Sequence, residues 1–148
     1  MTNKSSEYDY KIISDGALSL ANALVFKYGE LRHINPGAII FVENHASRDK
    51  KNKLAKITKI SAKWRDILWQ KGAPSYFYMI EFYHRSCKEL SETQKTALLY
   101  RELRRIGPEG DVHEPDTSDW YDLIEKLGHK WSDPDSVCPD LLKEDLHK

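Results

Sequence analysis

Residues 91–107 read SETQKTALLYRELRRIG, and this stretch predicts the helix around which the rest of the fold is arranged. Ser91 is a favoured N-cap residue, and Gln94 completes a capping box, in which two backbone amides at the start of a helix gain side-chain partners. Gly107 and the proline after it end the helical pattern. We therefore predict an amphipathic helix over about 91–106.

Further helix and strand patterns lie on both sides of this stretch. Residues 8–31 carry apolar positions at helical spacing and predict an N-terminal helix, and residues 117–130 predict a closing helix. AIIFVEN (38–44), AKITKIS (55–61) and YFYMIEFY (76–83) are rich in β-branched and aromatic residues and predict strands, the last of them central. The fold class is therefore α+β, with a three- to four-stranded, mostly antiparallel sheet.

Length and composition indicate one globular domain. The chain has 148 residues, of which 40% are hydrophobic and 31% charged, a balance typical of a folded protein. We expect a single domain over 1–131 and a loosely packed C-terminal tail over 132–148. The two cysteines have no metal-binding spacing, and we find neither a signal peptide nor a long apolar run. These features favour a cytoplasmic protein that does not interact with membranes.

The charge is balanced overall but unevenly distributed. Eight basic residues lie between Arg48 and Arg65, against Asp49 alone. Lysines neutralise phosphates, and Trp64 and Trp69 could stack on bases, so one interpretation is a nucleic-acid interface. A solvated edge strand protected by lysines is the simpler interpretation. The candidate basic face consists of Lys50, Lys51, Lys53, Lys56, Lys59, Lys63 and Arg65.

The segment RELRR within the predicted helix has the spacing of a zinc-peptidase motif without its metal ligands. In H-E-x-x-H, two histidines one helical turn apart bind the same Zn²⁺, and the glutamate activates the attacking water. Arg101 and Arg105 occupy the histidine positions, while Glu102 occupies the position of the general base. A guanidinium group has no lone pair to offer a metal, so the segment does not predict a conventional zinc site.

The order of elements, together with AKITKISAKWRDIL, YFYMIEFY, LSETQKTALLYRELRRIGPEGD and DTSDWYDLI, resembles the phage metallopeptidase domain family of small SprT-like minimal zincins. The resemblance covers about residues 10–131 and implies a zincin-like fold. In that family the helix usually reads LLYHELRHI, and a third histidine precedes the last helix. On this pattern residues 101–105 are a degenerate H-E-x-x-H motif, Glu102 is a vestigial general base, and Pro115 stands at the third ligand position.

Two arginines at former ligand positions can supply the positive charge that the metal would have provided. We expect them to pair with Glu102, Asp116 or Asp119, whereas the alternative is that they point to solvent. The favoured function is therefore a catalytically inactive, metallopeptidase-like phage or prophage protein without a cofactor. It would bind a protein partner, for example a host or defence factor, in the host cytoplasm.

Other functions remain open on sequence grounds. A metal-dependent hydrolase with a rebuilt site would use Glu102, His113 and outlying carboxylates, with zinc as its cofactor. A nucleic-acid-binding protein would use the basic face. A nucleophile pair of Cys87 and His84 is conceivable, but no signature surrounds the cysteine, and a buried thiol is the simpler interpretation. Neither the partner nor the oligomeric state can be predicted from the sequence.

Overall fold

The computed structural model describes residues 9–46, 54–73, 75–113, 120–128 and 130–146. Within these residues the chain forms an α+β domain with one four-stranded sheet and five α-helices, which confirms the predicted fold class. Each described helix is too short or too polar to cross a bilayer. In chain order the elements are β1 (Tyr10–Ile12), α1 (Ser14–Lys27), β2 (Ile39–Asn44), β3 (Ala55–Lys59), α2 (Ala62–Gln70), β4 (Tyr78–Tyr83), α3 (His84–Cys87), α4 (Glu92–Leu103) and α5 (Tyr121–Leu127).

The sheet has the strand order β1-β2-β4-β3, so β4 is central, as its aromatic and apolar sequence predicts. The outer pairs β1–β2 and β3–β4 are antiparallel, which confirms the mostly antiparallel sheet. The middle pair β2–β4 is parallel, with Ile39 opposite Tyr78 and Asn44 opposite Tyr83. Because parallel strands end at the same edge of a sheet, the residues that follow β2 and β4 are neighbours.

The N-terminal helix is shorter than the predicted range of 8–31. It begins at Ser14 and ends at Lys27, and the residues before it form β1, which pairs with the end of β2. The sequence shows no sign of β1, because a three-residue edge strand is too short to show a period of two. Its presence explains how the chain enters the sheet before turning into α1.

The helix at the centre of the prediction is confirmed, together with its start. The Ser91 hydroxyl accepts the Gln94 amide at 3.2 Å, and the Gln94 side chain accepts the Ser91 amide at 2.7 Å. The helix ends at Leu103, three residues earlier than predicted, because Ile106 leaves it to form a bridge with Val112. The closing helix is α5, and residues 117–119 and 129 of its predicted range lie outside the described residues.

The hydrophobic core lies between α1, α4 and one face of the sheet. Fully buried apolar side chains come from all three, and each stabilises the fold by roughly 1.5–3 kcal/mol relative to an exposed position. This packing holds α4 rigidly, which fixes the side chains at its C-terminal end. Among the described residues, the largest fully buried apolar side chains are Trp131, Tyr100, Phe41, Leu24, Leu31, Ile80, Leu98, Leu99, Leu103, Leu123 and Leu141.

Within the C-terminal segment 132–148, the structure describes residues 132–146, and several of their apolar side chains pack against the core. Cys138, Leu141 and Leu146 are buried. The Tyr28 hydroxyl donates to the Leu141 carbonyl at 2.7 Å, and the Gln94 amide donates to the Trp131 carbonyl at 2.8 Å. A few large apolar residues, with side chains from α1 and α4 bonding to its backbone, hold this segment.

Candidate functional site

The C-terminal end of α4 places a carboxylate in the interior of the protein. Glu102 is only 2% exposed, although glutamate is among the residues least often buried without a partner. Its position on α4 makes it face inward, because it lies one turn after Leu98 and beside Leu103, both buried. A buried carboxylate needs a compensating charge, since burial penalises the ionised form.

Two guanidinium groups supply that charge. Arg101 Nε donates to Glu102 Oε2 at 2.9 Å, and Arg105 Nη1 donates to Glu102 Oε1 at 3.2 Å. The side chains of both arginines are themselves largely buried. Arg105 Nε also donates to the His113 carbonyl at 3.1 Å, which fixes the orientation of its guanidinium. The structure thus brings together Arg101, Glu102 and Arg105, the three residues that the motif comparison identified.

These residues do not fit a zinc ion. Arg101 and Arg105 offer no lone pair, and their two positive charges exceed the single negative charge of Glu102. A dication placed among them would meet like charges at a few Å, an interaction of several kcal/mol at an effective dielectric of about 20. Both oxygens of Glu102 already accept hydrogen bonds. The group is a closed ion cluster.

A second ionic cluster, not predicted from the sequence, joins α4 to its neighbours. Arg104 Nη1 lies 2.5 Å from Asp122 Oδ1 of α5 and 3.2 Å from the Tyr100 hydroxyl, with its guanidinium over the Trp120 ring. The Tyr100 hydroxyl in turn donates to Glu30 at 2.6 Å. Burial and then this bond to Glu30 raise the pKa of Tyr100 well above its usual range, so it stays protonated. In the sequence, this second cluster is indicated only by the spacing of Tyr100 and Arg104, which lie four residues apart on a helix and are therefore neighbours on its surface.

The remaining residues of the predicted site are only partly covered by the structure. Pro115, Asp116 and Asp119 lie outside the described residues. His113 is described, and its imidazole Nε2 lies 3.5 Å from Asp111 Oδ2 at an exposed position. Its ring lies so close to Gly107 that a Cβ there would approach Nε2 to 2.3 Å. Within the described chain, His113 does not join a cluster of three metal-binding side chains.

The candidate basic face is described in part. Lys56 and Lys59 on β3 and Lys63 on α2 are exposed, and the Arg65 guanidinium lies over the Phe77 ring at 3.9 Å. β3 is an edge strand, so its lysines also suit the protective role considered above. Lys50, Lys51 and Lys53 lie outside the described residues.

The conceivable Cys87–His84 pair has other contacts. The buried Cys87 thiol donates to the Leu54 carbonyl at 3.3 Å. The His84 ring stacks on His45, with 4.1 Å between ring centroids. These contacts suit a structural thiol better than an exposed nucleophile.

An open groove of about 830 Å³ runs between α1, α4 and the sheet. Its floor is apolar, and its rim carries three carboxylates and one lysine, a charge balance that favours basic ligands. The apolar lining includes Ile13, Leu20, Phe82, Leu98, Leu99 and Leu142, and the rim includes Asp15, Glu43, Glu92 and Lys95.

The fold and α4 together define the class of the protein: a small α+β domain whose best-buried helix has the residue spacing of a metallopeptidase helix. A family model described as "Putative phage metallopeptidase" matches residues 12–140, which is most of the chain. The protein belongs to this family. No curated protein and no solved structure matches the chain.

Proposed function

We propose that this protein is a catalytically inactive, zincin-like member of the phage metallopeptidase family and acts by binding a protein partner in the host cytoplasm. The observation that carries this proposal is the ion cluster of Arg101, Glu102 and Arg105. A general base must receive a proton from water, and in a zinc peptidase the metal lowers the pKa of that water. Glu102 is buried, lacks metal ligands at the motif positions, and has both oxygens occupied by guanidinium groups.

The ion cluster also has a structural role, which explains why the glutamate persists without its metal. Removing the arginines would leave a buried carboxylate uncompensated, and removing the glutamate would leave two largely buried guanidinium groups facing each other. The cluster thus substitutes for the metal as the charged element at the end of α4. The cluster keeps the C-terminal end of α4 in place, so the protein surfaces next to it keep their shape.

The groove between α1, α4 and the sheet is the surface that suits a peptide partner. Its apolar floor can bury alternate side chains of an extended segment, and its acidic rim favours flanking lysine or arginine. A partner segment of apolar residues bordered by basic ones is therefore the occupant we propose. The basic face on β3 and α2 lies outside this groove lining, so nucleic-acid binding would require a different surface.

Catalytic inactivity is tested by incubating the full chain and its Glu102→Gln variant with unstructured protein substrates, with and without added zinc. We expect no hydrolysis by either protein. Hydrolysis by the natural chain that disappears in Glu102→Gln would overturn the proposal, because it would show that Glu102 acts as a base. Equal activity in both samples would show that the hydrolysis does not depend on Glu102, and repeating the assay with His45→Gln would separate a contaminating peptidase from a second centre in the chain.

Partner binding is tested by selecting from a display library of short peptides and measuring the affinity of those enriched. Ser19→Arg adds a cation inside the groove, whereas Asn22→Arg adds the same cation at an exposed position of α1 outside its lining. We expect Ser19→Arg to weaken binding by about tenfold or more, which is about 1.4 kcal/mol, and Asn22→Arg to have little effect. Failure to enrich any peptide, or equal effects of both variants, would contradict the groove as the binding surface.

The family relationship of the helix is tested by restoring the expected ligands with Arg101→His, Arg105→His and Pro115→His together. The triple variant should bind one zinc ion more than the natural chain, because it regains three imidazole ligands beside Glu102. A folded triple variant without additional zinc would mean that these positions are not former ligand positions.

A further inference from the structure

Three potential metal ligands meet at the edge of the sheet where the parallel strands β2 and β4 end. Asn44 and Tyr83 are the last aligned pair, so the next residues, His45 and His84, lie side by side. Glu43 precedes His45 by two positions and therefore projects from the same face of the strand. None of these residues belongs to the peptidase-like motif on α4.

The three side chains converge on one point. His45 Nε2 lies 2.9 Å from Glu43 Oε1, and His84 Nδ1 lies 4.0 Å from the same oxygen. One ligand atom from each residue can be chosen so that all three lie within 4.8 Å of one another. Since zinc binds nitrogen and oxygen ligands at about 2.0–2.2 Å, ligand atoms around it lie roughly 3–4 Å apart. Small side-chain rotations would bring the three atoms to that spacing.

The backbone around the cluster is held in place before any ligand binds. The His45 amide donates to the Asp9 carbonyl at 2.7 Å, and the Ala46 amide donates to the Asn44 side chain at 2.9 Å. His84 is the first residue of α3, where it follows the central strand directly. Ligands carried by rigid elements lose little conformational freedom on binding, which favours a metal site.

The charge and chemistry of the cluster suit a divalent transition metal. Two neutral imidazoles and one carboxylate carry a net charge of −1 and form the His₂Glu set that zinc accepts in catalytic sites. Imidazole ligands select zinc and its neighbours over magnesium or calcium, which prefer oxygen. The side chains are between 23% and 40% exposed, so water can complete the coordination.

We propose that Glu43, His45 and His84 form a binding site for a zinc-type divalent metal ion. The site is remote from Glu102. The segment that follows α4 lies at the start of β4, where the Tyr78 hydroxyl donates to the Gly110 carbonyl. His84 follows the opposite end of the same strand. Six strand residues separate these ends by about 17 Å. Metal binding here is independent of the ion cluster on α4, although it shares Glu43 with the groove proposed to bind a partner.

The test is zinc binding by the full chain without an affinity tag, measured by calorimetry and elemental analysis after removal of weakly bound metal. Cobalt provides a second readout, since tetrahedral Co²⁺ with nitrogen and oxygen ligands absorbs visible light. We expect one zinc per chain, and a loss of affinity of at least about 100-fold in His45→Gln and in His84→Gln, because each removes a ligand. Glu43→Gln should weaken binding while preserving the shape of the site.

His113→Gln is the matched control, because it removes an exposed histidine at the other end of the sheet. It should bind zinc like the natural chain. Loss of zinc in His113→Gln, with His45→Gln and His84→Gln unaffected, would overturn the proposal and indicate a site near Glu102 instead. Absence of specific zinc binding by the natural chain would overturn it outright, whether or not the variants fold. Folding of each variant is checked by its circular dichroism and thermal unfolding.

Discussion

The Arg101 guanidinium donates to the carboxylate of its immediate neighbour Glu102, with 2.9 Å between Nε and Oε2. Adjacent residues on a helix project about 100° apart and do not normally face each other. The contact forms because Glu102 is buried, and the Arg101 side chain reaches its carboxylate along the helix surface. Arg105, one turn later, closes the cluster from the other side. One buried carboxylate therefore binds both arginines, whose positions are also held by the His113 carbonyl and the Trp131 ring.

Replacing Arg101 and Arg105 tests whether the buried Glu102 carboxylate needs their positive charge for stability. Arg101→Met or Arg105→Met alone should lower the free energy of unfolding by about 1–2 kcal/mol, because one guanidinium still compensates Glu102. The double variant should lose about 3–5 kcal/mol, more than the sum, since it leaves a buried charge without a partner. Urea unfolding at pH 7 measures the free energy of unfolding of the two single variants and the double variant. Glu102→Gln in the double-variant background should restore part of the loss, and a double variant as stable as the natural chain would contradict this account.

Gln94 links the start of α4 to the C-terminal segment, and its substitution tests that link. Its side-chain amide donates to the carbonyls of Trp131 and Asp133, while its oxygen accepts the Ser91 amide. Gln94→Glu replaces the amide nitrogen that donates to two carbonyls with an oxygen, which cannot donate to them when ionised. We therefore expect the free energy of unfolding to fall by about 2–4 kcal/mol. Ser91→Ala removes only the cap and should cost about 1 kcal/mol.

Thermal and urea unfolding of the two variants distinguish these effects. Equal losses in Gln94→Glu and Ser91→Ala would mean that only the cap matters and that the bonds to the C-terminal segment contribute nothing.

The predictable parts of this protein are those with a local physical signal. The capping box at Ser91 and Gln94 lies within four residues, and the period of α4 extends over three turns, so both could be read directly. β1 could not, because three residues show no period and its pairing partner, β2, lies about 30 residues away. The parallel register of β2 and β4 likewise depends on a crossover that the sequence pattern does not specify.

The same distinction applies to the candidate sites. The spacing of Arg101, Glu102 and Arg105 is local, so their proximity was predictable from a helix alone. Glu43, His45 and His84 come together only because β2 and β4 are parallel neighbours in register, and residues 43 and 84 are far apart in the chain. No short motif could have revealed this cluster.

The C-terminal segment should contribute substantially to stability. Leu141 is fully buried, so Leu141→Ala should lower the free energy of unfolding by about 2–5 kcal/mol. Tyr28→Phe removes the hydroxyl that donates to the Leu141 carbonyl and should cost about 1 kcal/mol. Leu142→Ala, at a less buried neighbour, serves as the control with a smaller loss. A Leu141→Ala variant within about 0.5 kcal/mol of the natural chain, the range of ordinary surface substitutions, would show that this segment is loosely held in solution.

Cys138 should be an unreactive thiol whose ionisation opposes folding at high pH. Burial, with a further contribution from Asp140, raises its pKa to about 11 from an ordinary value of 9.0. At pH 8 the thiolate fraction is then about 100-fold lower than for a free thiol, and alkylation by iodoacetamide should be correspondingly slow. Between pH 9 and 11 the unfolded thiol ionises while the folded one does not, so the stability due to Cys138, complete below pH 9, is lost as the pH rises.

Comparison with Cys138→Ala isolates this effect, because the other groups that titrate in this range are common to both proteins. The natural chain should lose about 1–2 kcal/mol more than Cys138→Ala across the interval, allowing for solvent screening at a partly buried site. Mass spectrometry of the alkylated protein assigns the reaction rate to Cys138 rather than Cys87. Rapid labelling of Cys138 at pH 8, or parallel stability curves for the two proteins, would mean that the segment around it opens readily and does not shield the thiol.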